Sequence, residues 1–230
     1  DLHSFPTRRS SDLYSLVSDP GTAQPYRAAF VSDPLPQNGR LSGTPDATLR
    51  VKLDKPTANL TALLVDYGDD TRVDYLGPGS GIKNLTTEDC HGESTPDDDA
   101  CYKKTQVTTV KSAVNVVARG WLDAQNATSP SKPSPFEPGR YYDVKWTTLS
   151  QEYVFKKGHR VALVLAGTDA DYNTETATGA RATIDLRGSS ITVPVVAGGR
   201  HVDSLVAPAP VAPWHGPSGV TLPVQERRFS

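Results

Sequence analysis

Between residues 26 and 197 the chain is written in short runs of alternating apolar and polar side chains. Gly, Pro, Asn or Asp signals interrupt these runs roughly every 8–12 positions, the spacing of strands in a sandwich or barrel. In ATLRVKLD the residues Leu49, Val51 and Leu53 share one face, and in YYDVKWTTL Val144 and Trp146 do the same. NLTALLVDY is apolar on both faces, which predicts a central strand covered on each side. A turn is expected at Gly68-Asp69-Asp70, before TRVDYL. HRVALVLAG, GARATIDLRG and SSITVPVV continue the series. No segment carries an apolar stripe of helical period over three turns. The pattern therefore predicts an all-β fold, an antiparallel sandwich or jelly roll.

The ends do not share the pattern. Residues 1–13, DLHSFPTRRSSDL, are what translation of a common short-read library adapter gives, codon by codon, and they are set aside from fold reasoning. The expectation is that a longer protein, with a signal peptide or a catalytic domain, precedes Tyr14. Residues 14–25 have no sustained period and read as a connector. A polar insertion carrying both cysteines runs from about Gly77 to Lys104. Residues 198–230 hold five prolines and no strand alternation, and read as a Pro-rich tail or linker; a shifted reading frame is the other explanation.

Composition narrows the function. A net charge of −2 gives no basic surplus for nucleic acid or an anionic membrane. The longest apolar run, around Val161 to Gly167, is strand-sized, whereas a helical membrane span needs about 20 residues. Cys90 and Cys101 lie in polar sequence, where a buried free thiol is out of place. A disulfide fits that context best, ahead of free thiols and of a metal site shared with His91, which lacks the four ligands zinc takes. Such a bridge contributes up to about 3 kcal/mol by the loop-entropy model and implies an oxidising compartment, hence a secreted or extracytoplasmic protein.

No catalytic set is legible. A nucleophile elbow needs glycines two before and two after the serine; Ser80 in GPGSG and Ser218 in GPSGV both miss the pattern. His3, His91, His201 and His215 are scattered, and His159 in KKGHRVALVL reads as a turn residue ahead of a strand. Asp97-Asp98-Asp99 lacks the alternating spacing of a calcium loop and reads as solvated, and Asp169 and Asp171 read as turn formers. Trp121, Trp146, Tyr141 and Tyr142 are the candidates for an aromatic sugar platform, although Trp146 sits in core register with Val144. Asn59, Asn84 and Asn126 begin glycosylation sequons. No cofactor or metal ligand set is expected.

Three elements together resemble a known family. They are Leu41-Ser42-Gly43-Thr44-Pro45 in the first long strand region, Arg119-Gly120-Trp121-Leu122-Asp123-Ala124, and the stretch from Gly139 to Val164 that ends in GHRVALV. In this order they resemble the C-terminal non-catalytic domain of the Xaa-Pro dipeptidyl-peptidase and cocaine-esterase family of serine hydrolases, over residues 26–197. The cysteine loop resembles the secreted peptidase branch. The resemblance implies a galactose-binding-like jelly roll attached to an upstream α/β-hydrolase domain. That parent would release N-terminal Xaa-Pro dipeptides through a Ser-His-Asp triad lying before this domain. No catalytic residue falls on this chain, and Arg119, Trp121 and Leu122 become candidates for the seam with the hydrolase, because such residues dominate interface energetics. An ester hydrolase or acylase parent, and a free-standing carbohydrate-binding module, are the alternative readings.

Overall fold

The computed structural model describes residues 16–21, 27–167, 169, 172–173, 179–197 and 200–202. Its strands are β1 (Arg27–Val31), β2 (Gly39–Gly43), β3 (Asp46–Leu53), β4 (Asn59–Val73), β5 (Ile82–Cys90), β6 (Cys101–Val107) and β7 (Thr109–Asp123), then β8 (Tyr141–Thr147), β9 (Gln151–Phe155), β10 (Arg160–Ala166), β11 (Ala182–Thr192), β12 (Val195–Ala197) and β13 (Arg200–Val202). The chain divides into two compact units, residues 69–113 and the remainder.

The larger unit is the antiparallel sandwich that the alternation predicts. One sheet runs β1-β10-β4-β7 and a second β11-β3-β8, while β13-β12-β2-β9 forms a third. Alternation sets which residues meet. Ala47, Leu49, Val51 and Leu53 of β3 point inward with Val144 and Trp146 of β8, and they meet Phe30, Leu60, Ala62, Leu163 and Leu165 of the facing sheet. The β3–β8 register pairs Leu49 with Val144 and Ala47 with Trp146, so both strands put their apolar set on one face. Expected apolar alternation thus becomes a packed interior, each fully buried Leu or Val being worth about 1.5–3 kcal/mol.

β4 is the central strand its sequence implies. Every residue from Leu60 to Tyr67 is buried. Leu60 and Ala62 face the main core, while Leu63, Val65 and Tyr67 join Val17, Ala162 and Val164 on the opposite side. Val17 belongs to the stretch 14–25 that reads as a connector, and both Leu16 and Val17 are buried. Arg27, itself buried, holds that stretch by donating to the carbonyls of Leu16 and Asp19.

Two sequence expectations change. Gly68-Asp69-Asp70 is no turn, because β4 runs on through it to Val73. Glycine is needed at 68 for another reason: a Cβ there would lie 2.3 Å from the His159 ring. Secondly, β13 falls within the stretch 198–230 that reads as a tail. Residues 1–13 and 203–230, with Ser218 and His215, lie outside the described residues.

Burial pushes the Tyr67 phenol up to about 12, against a weaker opposing pull from the Arg27 guanidinium. The folded chain therefore keeps this proton in a range where the unfolded chain, titrating near pH 10, has lost it. The stabilisation is complete below pH 10 and disappears as pH rises from 10 to 12, about 2 kcal/mol after allowing for solvent screening. Tyr67→Phe should flatten that alkaline fall in denaturant midpoints; an unchanged slope would remove Tyr67 from the account.

The smaller unit is a hairpin arm. β5 and β6 pair antiparallel, and Cys90 lies directly opposite Cys101. His91 donates its backbone N–H to Ala100 at 2.9 Å, which makes the 90/101 pair the close, non-hydrogen-bonded kind. The two cysteines form a disulfide, with Cα atoms 4.0 Å apart. The aspartate run beyond it is more than a solvated loop. Asp98 accepts from the Ala100 N–H at 2.8 Å and from the Tyr102 hydroxyl at 3.0 Å, and Asp99 accepts from the Cys101 N–H at 2.9 Å. These carboxylates fold the tip into a knob and steady Ala100, whose φ is 55°. Replacing Cys90 and Cys101 by serine should open the knob to proteases while the sandwich melts within about 2 °C of the parent chain. A larger shift would mean that the two units unfold together.

Candidate functional site

Nothing in the described residues assembles a nucleophile with a base. Ser80 sits exposed in a short 3-10 turn, with β5 rather than a helix after it. His91 is exposed beside the disulfide, and the cysteines, being bonded to each other, leave no thiolate for a metal. Among the described residues no group of three or more His, Cys, Asp and Glu side chains could hold a metal ion.

His159 is buried and its Nδ1 lies 3.0 Å from both carboxylate oxygens of Asp66. Tyr153 donates its hydroxyl to Asp66 Oδ2 at 2.7 Å. Asp66 is fully buried in the middle strand. His159 also closes the turn before β10: its N–H donates to Lys156, and its carbonyl accepts from Leu35. This is an internal brace joining β4, β9 and β10. The turn role expected of His159 is present, and its carboxylate partner is what the sequence did not reveal.

The other constellation grows out of β7. Alternation puts Arg119 and Trp121 on one face of that strand, with Gly120 and Leu122 on the other. The Asp169 side chain then meets the first face. Trp121 Nε1 donates to Asp169 Oδ2 at 2.8 Å, and Arg119 Nη1 lies 3.4 Å from the same oxygen. Asp169 is wholly buried, so its charge is balanced by the guanidinium and the indole N–H together. The Asp169 carbonyl also accepts from the Tyr172 and Asn173 N–H groups, the turn-forming role expected of it. The Tyr172 ring stacks on Trp121 with centroids 5.6 Å apart, and the Arg119 guanidinium lies 4.3 Å from its centre.

This cluster is the most chemically specific surface feature of the sandwich. Tyr172 is 60% exposed, and Leu149, whose N–H donates to the Arg119 carbonyl, is 49% exposed. Together they give the Arg119–Trp121 face an apolar outer layer over a charged, hydrogen-bonded base. Leu122 stands apart from it, packed on the main core. No local sequence signal marks Tyr172, which lies a few residues after the β10 strand.

The other aromatic candidates form no open platform. Trp146 is buried in the core. Tyr142 stacks on Phe136 with centroids 3.9 Å apart and accepts the Glu137 N–H at 2.9 Å. Tyr141 lies under Arg50 and Lys52. Asp171 lies outside the described residues.

Residues 4–206 match the family described as the X-Pro dipeptidyl-peptidase C-terminal non-catalytic domain. A provisionally named Xaa-Pro dipeptidyl-peptidase of Streptomyces avermitilis is 41% identical over 83% of this chain and 28% of its own length. One of Bacillus cereus, likewise provisionally named, is 30% identical over 79% of this chain and 24% of its own length. The chain thus spans about a quarter of the length of the curated relatives it matches. Among solved structures, an alpha-amino acid ester hydrolase aligns over 75% of this chain and 26% of its own, at 14% identity and a TM-score of 0.47.

Proposed function

The chain belongs to the family of X-Pro dipeptidyl-peptidase C-terminal non-catalytic domains, and from that premise we propose that it is the accessory jelly-roll domain of an exported serine hydrolase that releases N-terminal Xaa-Pro dipeptides. The observation that carries this is the family match along most of the chain, joined to relatives of that name that are several times longer. The upstream part would supply the Ser-His-Asp triad and form an acyl-enzyme. Export is supported by the Cys90–Cys101 disulfide, a bond that persists in oxidising compartments. None of the described helices is long and apolar enough to cross a membrane.

In this reading the sandwich acts by packing. The Arg119–Trp121 face, with Tyr172 and Leu149 as its outer layer, is the surface assigned to the seam with the hydrolase, and Leu122 anchors the same strand to the core behind it. Aromatic and Arg side chains held rigid by a buried Asp lose little freedom on docking, which favours binding.

The test is enzymatic. The chain alone should leave Ala-Pro and Gly-Pro chromogenic amides intact, and no serine in it should react with a fluorophosphonate. Joined to the upstream portion of its own gene product, it should show both activities. A labelled serine within this chain, or a joined protein that cleaves no Xaa-Pro amide, would overturn the assignment.

A further inference from the structure

Large apolar side chains are unevenly spread over the surface. Of the ten that are exposed among the described residues, seven lie between Val73 and Val110, within the arm. Most of them gather at the end of the arm away from the disulfide. Ile82 and Val107 are directly paired across β5 and β6. Asp74 and Gly81 both bond to Thr108, at 3.0 and 2.9 Å, which brings Val73 and the Tyr75-Leu76 turn beside that pair. A Cβ on Gly81 would in fact lie 2.4 Å from Val73 Cγ1.

The ribbon is also bare on both sides. Every residue of β5 except Leu85, and every residue of β6 except Cys101, is exposed. A free two-stranded hairpin is marginal in water, and contiguous apolar patches on a monomer mark sites of interaction. Its edges are not made for adding another strand: β6 carries Lys103 and Lys104, and the β5 register shifts between Asn84 and Glu88.

We propose that the base of the arm, around Val73, Leu76, Ile82 and Val107, is a second docking surface, and that its occupant is the upstream polypeptide of the same protein. Two observations select that occupant. Most of the length of the matched relatives lies outside this chain, so a large covalently attached body is available to cover the patch. Both faces of the ribbon are exposed, so its cover has to reach around it, as a large body joined to the same chain can. The disulfide-closed knob then keeps the far end of the arm ordered while its base is gripped. This rests on the accessory-domain reading given above.

The experiment compares hydrogen exchange in this chain alone and in the chain joined to its upstream portion. Amides of residues 73–84 and 105–110 should exchange at least about tenfold more slowly in the joined protein. The triple variant Leu76→Asp, Ile82→Asp, Val107→Asp changes only exposed positions and should abolish that protection. Val154→Asp, an exposed apolar site on β9, should leave it intact. Equal exchange in the two proteins, or protection that survives the triple variant, would overturn the proposal. So would protection in the chain alone that rises with concentration, since a second copy would then be the occupant. Fluorophosphonate labelling of the joined protein reads the parent reading separately. A reactive serine beside an unprotected arm sinks only the docking; a protected arm without a reactive serine sinks only the hydrolase.

Discussion

Asp66→Ala should cost the domain about 3–5 kcal/mol, the usual penalty for removing one member of a buried, hydrogen-bonded charged group. The carboxylate is fully buried and is shared by the His159 imidazole at 3.0 Å and the Tyr153 hydroxyl at 2.7 Å. Alanine takes the shared carboxylate oxygens from both groups, and the buried His159 ring keeps its desolvation penalty without the bond that offset it. Asp66→Asn keeps an oxygen in place and should cost less, about 1–2 kcal/mol. The pair of variants separates the loss of an acceptor from the loss of charge. Denaturant unfolding at neutral pH reads both, and an Asp66→Ala midpoint matching the parent chain would show that water replaces the carboxylate.

The brace also explains why the local sequence reads misleadingly. Gly68 looks like the start of a Gly-Asp-Asp turn, but it is a mid-strand glycine that makes room for the His159 ring. No local pattern could reveal this, because the ring arrives from a position about ninety residues later. The same limit applies to Arg119 and Trp121, whose motif was visible while their partners Asp169 and Tyr172 were not. Period-two alternation, by contrast, is a local signal. It placed Leu49, Val51 and Leu53 on one face and identified β4 as a covered central strand, and the packed core follows both. The pairing of β3 with β11 and of β4 with β10 was not legible, since strand order depends on contacts far apart in sequence. The arm reads as a polar insertion because it contributes almost nothing to a core. Its order comes from cross-strand pairing, a disulfide and backbone bonds to Asp98 and Asp99, features that hydrophobic periodicity does not register.

Gly120→Ala should destabilise the sandwich by about 3 kcal/mol, at the upper end of the usual range for forcing a methyl group into a filled interior. A Cβ at this position would lie 2.4 Å from the Thr147 carbonyl oxygen and 2.7 Å from the Thr148 Cα. Both are backbone atoms, so neither can swing aside as the end of a long side chain would. The segment they belong to is tethered as well: Thr148 donates to the Pro45 carbonyl at 2.9 Å and Leu149 to the Arg119 carbonyl at 2.8 Å. Relief therefore requires β7 to move away from residues 147–149, which pulls on Arg119 and Trp121 at once. The variant should accordingly show a second effect that a mere packing defect elsewhere would not. Trp121 stacks on Tyr172 and donates to Asp169, so its fluorescence should shift towards that of a solvated indole at temperatures where the domain is still folded. Val154→Ala, on an exposed stretch of β9, should change neither stability nor emission. Should Gly120→Ala melt with the parent chain and keep its emission, the close approach of β7 to Thr147 would not be what holds the Arg119–Trp121 face in place.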